Sequence, residues 1–386
     1  MEVLQLDLDR TYQALRDVAG GDKFVPLHEP QFGGREWSYV KECLDTGWVS
    51  SVGSYVDLFE QMLAEICGVR HAVATTNGTA ALHIGLLIAG VRPNDEVVIP
   101  TLTFIATANA VNYCGAVPHF VDSEWSTLGL DAAKLDNWLS EIGDRRENGL
   151  YNRQTGRRLA AVVPMHTFGH PVKMQDLVAV CSKWGLPIVE DAAESLGSLY
   201  LDNPLGGWGL VGAVSFNGNK IVTTGGGGAI LTNDAQIAKR AKHITTTAKV
   251  PHAWAFVHDE IGYNYRLPNI NAALGCAQLE QLPGFLARKR QLAVRYAESL
   301  QSIDGLRYFC EPKNCASNYW LHAVILDEPR ERDEFLQYMN ARGLMTRPCW
   351  TLMSELELFS NCPSSDLTVA RNISARLVNI PSSATL

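Results

Sequence analysis

An alternation constrains this chain's fold more than any other feature. Seven short β-rich runs, at 71–77, 96–104, 117–122, 160–167, 187–192, 212–216 and 228–233, close in polar or Gly-rich turns. Between many of them lie stretches of helical spacing, such as Val56, Phe59, Leu63 and Ile66, or Leu177, Val180 and Trp184. Each set lines one apolar face. Strands alternating with helices predict an α/β fold whose mostly parallel or mixed sheet is covered on both faces. Ligands of such sheets belong at the loops beyond the strand ends.

After about Gly262 the pattern changes. Residues 270–282 and 284–300 read as two helices, 319–326 as a strand, 331–342 as a helix and 369–377 as a final helix. We therefore expect a large α/β domain over 1–265 and a small α+β domain over 266–386. The charged, polar stretch 141–158 reads as an exposed loop.

The net charge of -8 provides no basic footprint for nucleic acid or an anionic membrane, so an anionic ligand needs locally placed donors. No window approaches the roughly 18 consecutive apolar residues of a membrane span. The first residues, Met1 to Asp7, carry acids where a signal peptide carries positive charge. Nine cysteines without a C-x-x-C pair, odd in number, argue against a disulfide framework. The expectation is a reduced, cytoplasmic protein.

Several segments carry chemistry. In Asn77, Gly78 and Thr79 a strand turns into a helix, and amides freed at that helix start, with the Thr79 hydroxyl beside them, make a phosphate cup. A plain cap by Asn77 or Thr79 is the alternative. Phe104, at the next strand-to-helix turn, is placed either to lie on a planar ring or to fill the core. Asp191 ends an apolar strand, flanked by Glu190 and Glu194. A carboxylate there pairs with a protonated pyridine nitrogen, or else caps a helix. Three acids so close favour a nearby cation.

Lys220, in the run Ser215 to Lys220, is either a solvated surface charge or the amine that bonds a pyridoxal phosphate cofactor and shuttles its proton, and its neighbours favour the second. Ser215 adds a hydroxyl for the phosphate. The run Gly225 to Gly228 is followed by the strand-like Ala229 to Thr232, so it lacks the helix that a dinucleotide loop requires. His166 and His170 have no third ligand nearby, and we assign no metal.

These segments together resemble the DegT/DnrJ/EryC1/StrS group of pyridoxal phosphate dependent sugar aminotransferases, of fold type I (aspartate aminotransferase-like). The likeness runs from Gly47 to Ser383. It implies a seven-stranded sheet, a phosphate turn at Asn77 to Thr79, ring stacking by Phe104, a pyridine-nitrogen segment at Glu190 to Glu194 and the cofactor lysine at Lys220. Gly262 to Arg266 is similar to the family's G-x-N-x-R motif. That match implies a homodimer with shared sites, in which Asn264 reaches the cofactor phosphate of the neighbouring subunit.

Two departures, Asn217 where many members have histidine and Gly226 where they have glutamate, touch subfamily and substrate more than chemistry. The stretches 26–30, 215–228 and 245–249 are similar to the LegC-like branch. That likeness implies L-glutamate as donor and a UDP-linked 4-keto-6-deoxy-N-acetylhexosamine as acceptor, on routes to nonulosonic acids or surface glycans. Trp48, Lys249, Arg266 and Arg347 are candidates for contacting the nucleotide sugar. A sugar dehydratase or deoxygenase, and a catalytically silent homologue, remain as alternatives at this stage.

Overall fold

The computed structural model describes residues 6–21 and 23–386. The acidic start read above falls partly on residues 1–5, outside the described residues. Seven strands form the principal sheet: β1 (His71–Thr75), β2 (Glu96–Pro100), β3 (Val117–Val121), β4 (Arg158–Val162), β5 (Val189–Asp191), β6 (Val211–Ser215) and β7 (Gly228–Thr232). Their order is β1-β7-β6-β5-β4-β2-β3, with β5 joined to β4 through the parallel bridges Val162–Ile188 and Met165–Asp191. Only β7 runs against its neighbours. The strands are buried nearly end to end, as a sheet covered on both faces requires.

The Gly78–Ile88 helix packs on one face of this sheet. Its residues are almost all small or aliphatic, and they are buried all round. That burial fixes its N-terminus at the ends of β1, β6 and β7.

A second, antiparallel sheet contains β8 (Leu306–Tyr308), β9 (His322–Leu326), β10 (Arg347–Pro348) and β11 (Leu377–Ile380), in the order β8-β9-β11-β10. The helices Arg332–Ala341 and Thr368–Arg376 lie near the expected positions.

Three expectations need correction. The stretch 141–158 is not a loop: Gly143–Arg146 and Gly149–Asn152 form a hairpin that pairs with the start of β4. Its polarity misled, because Asn152 Nδ2 (2.8 Å) and Thr155 Oγ1 (2.5 Å) donate to the buried Glu96 carboxylate. The two helices at 270–300 are one, Asn269–Leu300, with Pro283 inside it. Proline removes one helical N–H, but the buried Leu279, Leu282 and Phe285 carry the helix through. The strand expected from 319 begins at His322, because Tyr319 has a φ of 47° and turns the chain. That turn aims Trp320 elsewhere.

Candidate active site

Thr75, Gly228 and Ser215 stand abreast at the ends of β1, β7 and β6. From there the chain passes through Asn77 into the Gly78–Ile88 helix. Asn77 Oδ1 accepts from Ala80 N–H at 2.8 Å, and its carbonyl accepts from Ala81 N–H. Among the described residues nothing accepts from the amides of Gly78 and Thr79. The cap and the phosphate cup are thus compatible, because capping uses one amide and leaves two donors at the positive end of the helix.

Room at this turn depends on missing side chains. A Cβ on Gly78 would stand 2.8 Å from Ser215 Cβ, and one on Gly228 would stand 2.4 Å from the Asn77 carbonyl carbon. The second clash is with backbone and no rotamer relieves it. We expect Gly228→Ala to lower stability by about 1–3 kcal/mol and to weaken pyridoxal phosphate binding. Thermal melting and a fluorescence titration read both, and unchanged values would refute this account of the turn.

Lys220 lies in the segment between β6 and β7, with its side chain 12% exposed. Its Nζ is 3.1 Å from Glu194 Oε1 and 3.8 Å from the centroid of the Trp320 ring. Glu194 Oε2 accepts from Phe168 N–H at 2.9 Å. Burial pushes the Glu194 carboxyl up to about 7, against the opposing pull of the Lys220 charge and the Phe168 amide.

Asp191 sits deeper. Its Oδ2 accepts from the Thr107 hydroxyl at 2.6 Å and its Oδ1 from Ala193 N–H at 3.2 Å. Burial raises its carboxyl above the ordinary range, opposed by these donors and by Lys220. A carboxylate so desolvated is stabilised by any cation placed against it, and a protonated pyridine nitrogen is one.

The three clustered acids are resolved by strand alternation. Glu190 turns away from Asp191, facing His166 Nε2 at 3.0 Å and accepting from Trp208 N–H at 3.0 Å. Because His166 Nδ1 accepts from Val172 N–H, its Nε2 carries the proton and donates to Glu190. His170 instead packs against Phe309 and Tyr319.

A cleft of about 720 Å³ gathers Asn77, Gly78, Thr79, Phe104, Asp191, Glu194, Ser215, Lys220 and Arg347 along its lining. Phe104 is half exposed, edge-on to Trp350 at 5.9 Å. Four candidates lie outside this cleft of their own chain. Trp48 is exposed and contributes its carbonyl to Asn269 Nδ2. Lys249 lies over the Phe256 ring at 4.2 Å. Asn264 accepts from Arg266 Nε at 3.0 Å, and both side chains are exposed.

Sequence reading missed Thr107, Trp320 and Trp350. Thr107 had a signal, since it follows Phe104 by three positions at the start of the Ile105–Tyr113 helix and so shares its face. The two tryptophans arrive from the second sheet's loops and had none.

Comparison with known proteins identifies the family. Residues 30–386 match the DegT/DnrJ/EryC1/StrS aminotransferase family. The chain is 35% identical over 360 residues to GDP-perosamine synthase of Escherichia coli O157:H7, covering 93% of both chains. It is 36% identical over 367 residues to GDP-perosamine synthase of Caulobacter vibrioides, covering 94% of both. The crystal structure of the aminotransferase TlmJ from Streptoalloteichus hindustanus superposes with a TM-score of 0.85 at 28% identity, covering 94% of each chain. A match that spans nearly the whole chain settles the assignment: this protein belongs to the DegT/DnrJ/EryC1/StrS aminotransferase family, a family of pyridoxal phosphate dependent enzymes.

Proposed function

We propose that this enzyme moves the amino group of L-glutamate to the C4 keto carbon of a nucleotide-linked 4-keto-6-deoxy sugar. The observation that carries the reading is the position of Lys220 Nζ, held beside Glu194 in the cleft that also contains Asp191 and the free amides of Gly78 and Thr79. Pyridoxal phosphate, when bound, supplies the electron sink that makes the amino-acid α-proton labile.

Each residue then has a task. The Gly78 and Thr79 amides, with the Thr79 and Ser215 hydroxyls, hold the phosphate, and Asn264 of the partner subunit completes the cup in a homodimer. Asp191 keeps the pyridine nitrogen protonated, and Thr107 orients Asp191. Phe104 covers the ring. With the cofactor bound, Lys220 Nζ would be the group that moves the proton lost from the amino-acid α-carbon. The second half-reaction reverses these transfers on the keto sugar.

The acceptor's nucleotide has two readings. The resemblance to the LegC-like branch favours a UDP-linked N-acetylhexosamine, whereas two relatives named GDP-perosamine synthase, each matched over at least 93% of its length, favour a GDP-linked sugar. We take the GDP-linked sugar as the better supported. A panel of GDP-, UDP- and dTDP-linked 4-keto-6-deoxy sugars, assayed with glutamate, should give 2-oxoglutarate and amino sugar in equal amounts, fastest with the GDP sugar. Product formed without consumption of glutamate would point to a dehydratase instead.

Arg347 is the only arginine along the cleft lining, among the described residues. We expect Arg347→Ala to raise KM for the nucleotide sugar about tenfold, the loss of one charge-assisted contact, while KM for glutamate is unchanged. Equal KM values in variant and wild type would remove Arg347 from the diphosphate site.

A further inference from the structure

Lys289 is a buried charge. It sits on the Asn269–Leu300 helix at 0% exposure, and among the described residues no carboxylate pairs with it. Its ammonium donates to the carbonyls of Trp320, at 3.1 Å, and Ser382. Burial lowers its amine to about 7, so enclosing this charge costs free energy.

Trp320 is held at two further points. Its backbone N–H donates to Asn318 Oδ1 at 2.8 Å, and its indole N–H donates to the carbonyl of Asn219 at 2.7 Å. Asn219 is the neighbour of Lys220, and the Trp320 ring lies against Lys220 Nζ. A chain of contacts therefore runs from Lys289 through Trp320 to the cofactor lysine. The ring face attracts an ammonium, and Glu194 approaches the same nitrogen at 3.1 Å.

We propose that the pocket between Trp320 and Glu194 is the resting place of the Lys220 amine whenever it is not bonded to cofactor, and that Lys289 is a positioning residue that holds Trp320 there. The inference rests on Lys220 being the cofactor lysine. A freed amine docked this way stays inside the cleft instead of swinging into solvent, and it is within reach for the next turnover. The titratable groups facing Lys220 are Glu194, Asp191 and His28; those facing Lys289 are His28 and His322.

The test labels Lys220 with an amine-directed acylating reagent in the full-length chain stripped of cofactor, read by peptide mass spectrometry across pH. Trp320→Leu should lower the pH of half-maximal labelling by about half a unit to one unit, the worth of the ring contact. Trp320→Phe, which keeps a ring, should restore most of that shift. Simple steric opening would raise the plateau rate and leave the midpoint in place, which overturns the proposal for Trp320.

Lys289→Met should shift the midpoint in the same downward direction, and adding it to Trp320→Leu should change nothing further. An upward shift would mean that Lys289 acts through its own charge, and additive shifts would mean that it acts independently of Trp320. Either overturns its positioning role. If Lys289→Met fails to fold, Lys289→Gln, which retains an N–H donor, carries the same expectation in weaker form. Bleaching of the bound cofactor's colour by glutamate in the wild type tests the role of Lys220 separately, so failure of one leaves the other standing.

Discussion

Lys220→Ala protein should lose turnover by about 10⁴-fold or more, the scale expected when a group that acts as both nucleophile and proton carrier is removed. It should still bind pyridoxal phosphate. The Gly78 and Thr79 amides, Ser215 and Asp191 are untouched by the substitution, and none of them depends on Lys220 for its position. The two effects separate cleanly in a reduction experiment. Borohydride treatment of wild-type holoenzyme should leave the cofactor attached to the denatured chain, on the peptide that contains Lys220. The variant should release it. Turnover comparable to wild type, or attachment at a different lysine, would overturn the assignment.

Glu194 belongs to the same unit, so its substitution should not multiply with that of Lys220. With the amine gone, the Glu194 carboxyl is buried against the Phe168 amide alone. One opponent of its desolvation is lost, so it should hold its proton to higher pH in Lys220→Ala than in wild type. Titrating the Glu194 carboxyl by NMR in both proteins would show this directly.

Much of this candidate site is readable in the sequence, for a physical reason. Asn77, Asp191 and Ser215 sit at or just beyond the ends of short apolar strands, and in an α/β sheet strand ends are where the chain leaves the core and meets a ligand. Local pattern therefore encoded position. The glycine run ending at Gly228 was legible only as something other than a dinucleotide loop, whereas Gly228 lets β7 pass against the Asn77 backbone. Sequence cannot reveal a close approach between segments about 150 residues apart.

Polarity failed as a guide where a buried partner existed. The hairpin at 143–152 is charged and polar, yet Asn152 and the following Thr155 are drawn onto Glu96, a carboxylate buried on β2. Reading it as solvent-exposed assumed that polar side chains have only water to satisfy them. The tryptophans failed for the opposite reason. Trp320 and Trp350 look like core residues, and only the positive φ at Tyr319 and the path of the second sheet place them on the cleft.

Asp191→Asn should reverse sign between the cofactor-free and cofactor-loaded protein. In the free protein the Asp191 carboxyl is raised above its ordinary value by burial. A group raised in this way holds its proton in the folded state to higher pH than in the unfolded chain. Its contribution is complete below the unfolded value near 3.9 and is lost as pH climbs through the folded value. Asparagine has no charge to bury. Its oxygen can accept from Ala193 N–H while its amide donates to the Thr107 hydroxyl, which turns to receive it. The variant without cofactor should therefore melt higher than wild type at neutral pH, and the difference should vanish near pH 3. Adding pyridoxal phosphate should invert the order, because the wild-type carboxylate then meets a ring cation and asparagine does not. Turnover should fall on the order of 10²-fold, as for other lost electrostatic partners of a developing charge. Melting curves of both proteins, with and without cofactor across pH, decide the matter: a variant less stable than wild type in both states would mean that Asp191 serves packing alone.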